Sequence, residues 1–386
     1  MVAVNARGRF LETAHFGKPD WVPLGGGGPR KATLERWRTE GMPADVNPGD
    51  YFNFDKAGGI SSYPGTGLEW HPENLKSVNL GPIPPFEEKI LEQTDRYRVW
   101  IDNLGIKQRG FRADWDDGWS GFATREFLEF PVKNKEDFQK VKERYDPKSP
   151  GRYPQDWEEL KRAWKARDYP LSISLRGPFW WTREMMGLHA MIKGFYLDPG
   201  LIHKIMDFCA EFQIEALHKA LDEIIPSPDS ATISEDMAYK WGPMISPKMV
   251  REFMLSPYKR ITGFLWDHGV GVIIVDSDGN VEPLIPVWLD AGINGVSPCE
   301  VAAGMDPVAL RRRYPRLIIM GGIDKRELAK DKKAIEREVM AKVPYLIKTG
   351  GYFPGVDHGV PADVPLENFQ YFLKLTRKLC GQPNIT

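Results

Sequence analysis

Gly269-Val-Gly-Val-Ile-Ile-Val275 runs directly into Asp276-Ser277-Asp278-Gly279-Asn280. The first half is an unbroken run of small and β-branched residues, the pattern of a parallel strand buried on both faces rather than of an alternating, half-exposed one. The second half places two carboxylates where that strand stops. In α/β proteins the carboxyl ends of parallel strands are where ligands bind. Acids set there cost stability unless a metal, a proton or a substrate meets them.

The same rhythm recurs along the second half of the chain. Tyr169-Pro-Leu-Ser-Ile-Ser-Leu reads as a strand ending at Arg176-Gly-Pro, and Ala231-Thr-Ile-Ser as one ending at Glu235-Asp236. Further strands fall at Ile293–Val296, Leu317–Met320 and Gly351–Phe353, followed by Pro298-Cys299-Glu300, by Gly321-Gly-Ile-Asp324 and by Asp357-His358. Helices lie between them: Leu201 to Ile224 carries apolar residues at three- and four-residue spacing, and Ser246-Pro-Lys-Met-Val opens another with a serine cap and proline in the first turn. Strand, acidic or glycine loop, helix and strand again predict a single (β/α)8 TIM-type barrel. An open doubly wound sheet is the structural alternative, but no Gly-x-Gly-x-x-Gly follows the first strand.

Residues 1–150 are irregular. They hold an opening helix from Asn5 to His15, a short strand at Trp21-Val-Pro-Leu-Gly25, a helix over Ala32–Glu40, long Pro/Gly stretches to Pro85, and segments within Val99–Phe130 that suit an accessory antiparallel sheet. Gly25 to Gly28 lack the Gly-Lys-Ser/Thr ending of a phosphate loop. The chain is therefore expected to be one barrel domain over 1–386 with a loop-rich and helical N-terminal extension.

Composition narrows the function. With 52 basic and 53 acidic residues in 386 the net charge is -1, which gives no electrostatic footprint for nucleic acid or anionic membrane. Three scattered cysteines (Cys209, Cys299 and Cys380) make no disulfide framework. The first residues carry no apolar signal core, and no run approaches the ~20 apolar residues of a membrane span. A cytoplasmic, soluble protein is the expectation. Thirteen tryptophans and 32 prolines suggest aromatic-walled loops around a pocket.

A barrel brings strand ends together, so Arg176, Glu235, Asp236, Asp276, Asp278, Glu300 and His358 can share one face. Asp276-Ser-Asp-Gly also suits an ordinary turn; an EF-hand does not fit, because no glutamate closes a twelve-residue loop. His358 can be a metal ligand, a proton donor or a loop-bonded ring. Glu235 and Asp236 can be ligands, supporting acids or helix caps. Cys299 reads as a small buried side chain, and Asp324-Lys325 as structural ion pairs, with Asp324 also able to reach the pocket. Arg7, Arg9 and Arg30 would suit an anionic substrate.

Several stretches resemble the uroporphyrinogen decarboxylase superfamily: Gly17-Lys-Pro-Asp-Trp-Val-Pro-Leu24, Ile245-Ser-Pro-Lys-Met-Val-Arg-Glu-Phe-Met254, Gly292-Ile-Asn-Gly-Val-Ser-Pro298, Ala303-Gly-Met-Asp306, Met320-Gly-Gly-Ile-Asp324, and Gly355-Val-Asp-His-Gly-Val-Pro361 followed by Pro365-Leu-Glu-Asn368. That superfamily holds the porphyrinogen decarboxylase and zinc-dependent methyltransferases that work with corrinoid proteins. The resemblance implies a barrel with its site at the strand C-terminal face. The decarboxylases carry a Met-Arg-Gln-Ala-Gly-Arg segment that holds substrate carboxylates; here Gly25-Gly-Gly-Gly-Pro-Arg30-Lys31 takes its place, without paired arginines. The methyltransferases bind zinc through His-x-Cys at the position of Asp276-Ser-Asp278 and a later cysteine near His358.

Carboxylates and imidazole in place of thiolates turn the expectation away from thiol acceptors. The resemblance then implies a methyltransferase moving a methyl group from a small methylated donor, a methoxylated aromatic in an O-demethylation being one such donor, to the cobalt of a corrinoid (cobalamin) carried by a partner protein. Asp276, Asp278 and His358 would be catalytic or hold Zn²⁺; Arg30, Arg176, Glu235, Asp236, Glu300, Trp180 and Trp241 would surround the donor, with Phe179 and Trp181 as further candidate walls. A decarboxylase or lyase acting on a carboxylated small molecule is the alternative, and a non-catalytic binding barrel a third reading. A homodimer is a further expectation.

Overall fold

The computed structural model describes residues 5–25, 27–61, 75–112 and 125–382. Its centre is an eight-stranded, wholly parallel sheet. In space the order is β14 (Tyr352–Val356), β13 (Ile318–Ile323), β12 (Gly295–Ser297), β11 (Ile273–Asp276), β8 (Ser230–Ser234), β7 (Leu171–Arg176), β1 (Gly58–Ser61) and β2 (Leu75–Ser77). The sheet curls as a TIM-type barrel. Strand β11 lies at its middle, with Val272, Ile273, Ile274 and Val275 all buried. Both of its faces are covered, which is why its sequence does not alternate.

Register fixes which residues share a level. Asp276 pairs with Ser234 of β8 and Ser297 of β12, and Ser234 in turn with Arg176 of β7. Main-chain bonds continue past the strand ends, from Glu235 N–H to Asp276 O (2.9 Å) and from Ser277 N–H to Ser297 O (3.0 Å). The carboxyl ends of β7, β8, β11 and β12 are thereby locked at one height.

The predicted strand at Trp21–Gly25 does not form a ladder. The segment instead runs beside β14, with Gly25 N–H donating to Pro354 O at 2.9 Å and a single parallel bridge between Pro29 and Val360. Pro23 and Pro29 have no N–H to offer, so continuous pairing is not available to it. Two barrel strands, β1 and β2, fall in the Pro/Gly stretches read as loop. Gly58-Gly-Ile-Ser has one apolar side chain and no period to detect.

The accessory sheet is present and starts earlier than predicted. Strands β3 (Lys89–Gln93), β4 (Tyr97–Ile101), β5 (Lys107–Phe111) and β6 (Arg125–Glu129) form an antiparallel meander. The opening helix spans Ala6–Ala14, where the Asn5 side chain accepts from Gly8 N–H, and the next spans Lys31–Thr39. No helix among the described residues is long and apolar enough to cross a membrane.

Candidate active site

The loop after β11 is shaped by its glycine. Gly279 has φ +84°, and a Cβ there would lie 2.6 Å from the Ala238 carbonyl carbon. Only a residue without a side chain lets the chain turn so tightly against the hairpin of β9 (Ala238–Tyr239) and β10 (Gly242–Pro243). The Gly279 N–H donates to Glu300 Oε2 at 2.9 Å and Asn280 N–H to Tyr239 O at 3.0 Å. Asp278 is held between them, its own N–H 3.3 Å from Asp236 Oδ1.

His358, following β14, reaches across to this loop. Its Nε2 lies 3.0 Å from Asp278 Oδ2. Arg30 Nη2 stands 2.9 Å from Nδ1, and Gly359 N–H donates to the same nitrogen at 2.7 Å. Two donors on Nδ1 place the proton of the neutral ring on Nε2, pointed at Asp278. The Asp278 hydrogen bond raises the His358 pKa, against burial and the charges of Arg30 and Lys325. A second ring proton would have to displace both donors from Nδ1, so the neutral tautomer is the resting form.

Asp276 is the acid with an unusual environment. Burial raises its pKa, the nearby Asp278 and Asp236 charges raise it further, and it stands at about 7. Asp236 is likewise raised, by burial and then by Asp278. Its backbone sits at φ +46°, a conformation that costs about 1 kcal/mol or more outside glycine and that recurs at functional sites. Arg183 ties it down, donating from Nη1 to the Asp236 carbonyl at 3.0 Å.

Two guanidinium groups approach the Trp180 ring, Arg183 at 4.3 Å and Arg176 at 4.9 Å from its centroid. Arg176 also pairs with Glu184 through a 2.9 Å contact. The ring and the two cations form one wall beside Asp236.

Glu235 has a different role from its neighbour. It is completely buried. Its Oε2 accepts from Trp180 N–H at 2.9 Å at the start of the helix Pro178–Met186, and Tyr258 donates its hydroxyl to Oε1. A Cβ on Gly177 would come within 2.0 Å of the Glu235 carboxyl carbon, so the helix begins on a glycine. The helix terminus and the tyrosine favour the anion, but burial outweighs them and lifts the pKa to about 8. Glu235 therefore braces strand β8 against the helix after β7 as a neutral acid at physiological pH.

On the far side, Lys325 links three loops. Its Nζ lies 3.4 Å from Asp357 Oδ1 and 3.8 Å from Glu300 Oε1. Buried Asp357 also accepts from the N–H groups of Val301 (2.9 Å) and Lys325 (3.1 Å). Asp324 pairs with Arg326, as its sequence context suggested.

The structure thus gathers Arg30, Asp236, Asp276, Asp278, Glu300 and His358 at one end of the barrel. It does not bring in Trp241, which stands 80 % exposed beyond β9 with Lys240 5.1 Å from its ring. A two-residue hairpin tip leaves that indole no wall to join. Phe179 and Trp181 are core residues, Arg7 pairs with Asp229, and Arg9 pairs with Asp20. Gly26 of the glycine run lies outside the described residues. Arg183 is the group that sequence reading missed, while Lys325, read as an ion-pair former, does pair, with Asp357 and Glu300. A signal for Arg183 was available: it sits three residues after Trp180 on the helix that follows a barrel strand.

The donor set does not fit zinc. Among the described residues, Asp276, Asp278 and His358 do not bring three ligand atoms within 4.8 Å of one another. The Arg30 guanidinium, 2.9 Å from Nδ1 of the His358 ring, also opposes a dication there.

A family model described as uroporphyrinogen decarboxylase (URO-D) matches residues 126–379. This chain belongs to the uroporphyrinogen decarboxylase family. Among curated family members, the uroporphyrinogen decarboxylase of Nautilia profundicola is 24 % identical over 194 residues, covering 48 % of this chain and 52 % of its own length. That of Campylobacter lari is 24 % identical over 260 residues, covering 64 % of this chain and 71 % of its own. The chain thus spans about half the length of the Nautilia relative. A solved methyltransferase from Methanosarcina mazei superposes with TM-score 0.55 at 15 % identity, over 97 % of this chain and 98 % of the other, and at that identity the likeness is one of fold. Within this family the Asp276–Asp278–His358 end of the barrel is the candidate active site.

Proposed function

We propose that this family member is a methyltransferase that removes a methyl group from a small O- or N-methylated donor, a methoxylated aromatic first among them. The acceptor is a corrinoid carried by a separate protein, which supplies a low-valent cobalt nucleophile for the methyl carbon. The observation that carries this reading is the placing of Asp276 at the carboxyl end of β11, beside the Asp278–Asp236 and Asp278–His358 contacts, where burial and the neighbouring carboxylates raise its pKa to about 7. An aryl or alkyl oxide is a poor leaving group. As the methyl carbon–oxygen bond breaks, with the electron pair staying on oxygen, Asp276 delivers its proton to that oxygen. Asp278 and neutral His358 hold the donor beside it, and the Trp180 ring with Arg183 offers a face for an aromatic ring.

The test is the formation of demethylated donor by purified protein with a reduced corrinoid protein and a panel of methoxylated aromatics. Product should form with at least one donor, and Asp276→Asn should lower the rate by roughly a hundredfold or more, the usual worth of a general acid. Absence of product with every donor tried sinks the proposal. A decarboxylase acting on a carboxylated small molecule is the second reading. The curated relatives favour it, as do the cations Arg30, Arg183 and Lys325 around the site. Release of CO2 without any corrinoid protein would single it out.

A further inference from the structure

At the opposite end of the barrel, two neighbouring helices carry a second cluster of ligand-type side chains. The helix Pro199–Glu223 ends just before β8, and the helix Leu255–Asp267 ends just before β11. Strands β8 and β11 are adjacent and parallel, so both helices finish at the N-terminal edge of the sheet, away from Asp276. The helices pack along each other.

Near that end, His218 and Asp222 stand one turn apart on the first helix, and His268 caps the second. Asp222 lies between the two rings: Oδ2 is 3.6 Å from His218 Nδ1, and Oδ1 is 3.2 Å from His268 Nε2. One ligand atom from each of the three residues falls within 4.8 Å of the others.

We infer that His218, Asp222 and His268 form a binding site for a divalent transition-metal ion of the zinc type. Ligand atoms about 2.0–2.1 Å from a tetrahedral ion sit roughly 3.3 Å apart; Asp222 approaches His218 through Oδ2 at 3.6 Å and His268 through Oδ1 at 3.2 Å, so a small turn of the carboxylate sets one oxygen between the two nitrogens. His268 is already oriented for ligation. Its Nδ1 lies 2.7 Å from the Phe264 carbonyl, which fixes the proton on Nδ1 and leaves the Nε2 lone pair facing Asp222. An outer hydrogen bond of this kind accompanies most metal-binding histidines. The Phe264 ring packs beside both imidazoles, at 5.0 Å from His218 and 4.5 Å from His268. Two nitrogens and one oxygen leave a fourth position for water. Asp222 is 60 % exposed, so the ion can enter without unfolding the helix pair.

Bound there, the ion joins the helix after β7 to the helix after β8. A metal bound to the folded state alone stabilises it by mass action.

Zinc chloride titrated in competition with a chromophoric chelator tests the site, using the full chain and three variants. Asp222→Asn removes the bridging carboxylate at an exposed position. His268→Gln keeps a donor for the Phe264 carbonyl. His358→Ala serves as the control for any zinc taken up at the other end of the barrel. The wild type and His358→Ala should bind one zinc that both Asp222→Asn and His268→Gln lose, or bind at least tenfold more weakly. Zinc should also raise the melting temperature of the wild type and leave that of the two variants unmoved. Retention of that zinc at unchanged affinity in either variant, or no zinc uptake by the wild type, overturns the inference.

Discussion

Replacing Glu235 by glutamine isolates the effect of one completely buried carboxyl on the stability of the barrel. The carboxyl is completely buried, and its pKa is raised from 4.5 to about 8 by desolvation. A group whose folded pKa exceeds its unfolded value contributes stability that is complete below the unfolded pKa and is lost as pH rises through the folded one. The folded protein holds a proton that the unfolded chain has released, so wild-type stability falls by about 1.4 kcal/mol per pH unit between pH 4.5 and 8 on account of this residue. From pH 5 to 8.5 the loss amounts to about 4 kcal/mol. Glutamine mimics the neutral acid: its carbonyl accepts from Trp180 N–H, and its amide donates to the Tyr258 oxygen, which the tyrosine can accept because its hydroxyl rotates. Urea unfolding of both proteins at pH 5 and pH 8.5 measures the effect. The two should differ by less than about 1 kcal/mol at pH 5, and the variant should be the more stable at pH 8.5 by several kcal/mol. Differences between the two proteins cancel the titration of every group that the substitution leaves alone. Parallel pH dependences, or a variant that is less stable at pH 8.5, would refute the reasoning.

Other expectations follow from the same geometry. If Asp276 is the proton donor, kcat/KM for demethylation falls tenfold per pH unit above about pH 7, because the donating form disappears as the carboxyl ionises, and the Asp276→Asn profile loses that descending limb. Gly279→Ala forces a Cβ to within 2.6 Å of the β9 backbone at φ +84°; a loss of about 2 kcal/mol or more in urea unfolding is expected, with Asp278 displaced from His358. Asp229→Ala removes the partner of Arg167, whose side chain is fully buried, together with the acceptor of Leu171 N–H and the mate of Arg7. That change should cost about 3–5 kcal/mol, the usual penalty for orphaning a buried charge, and a loss under about 1 kcal/mol would show that the Pro226 and Ser227 carbonyls satisfy Arg167 without it.

How much of this was legible in the sequence depends on how local each signal is. Strand β11 could be read from Val272–Val275 because burial on both faces needs only apolar β-branched residues in a row. The cap read at Ser246 is likewise local, its side chain accepting the Met249 N–H three residues on. Strands β1 and β2 escaped because Gly58-Gly-Ile-Ser becomes a strand only when β7 lies beside it. Glu235 and Asp236 are adjacent acids, yet one is a buried neutral brace and the other borders the site, because the strand has ended at Ser234 and the chain turns at Asp236, where φ is +46°.

The sequence by itself determined the parallel barrel, the strand-end positions of Asp276, Asp278 and His358, and the absence of cysteine at those positions. Tertiary structure decided which of these groups meet. It paired His358 with Asp278 and Arg30, spanning 328 residues of chain. It buried Asp276 beside Asp278 and Asp236, and burial with those two carboxylates outweighs the opposing influence of His358 and drives its pKa towards neutrality. It also set Trp241 out in solvent and put His218, Asp222 and His268 together at the other end. Ionisation and ligation depend on what lies within a few ångströms, and only the closing of the barrel brings strand ends and helix ends to that distance.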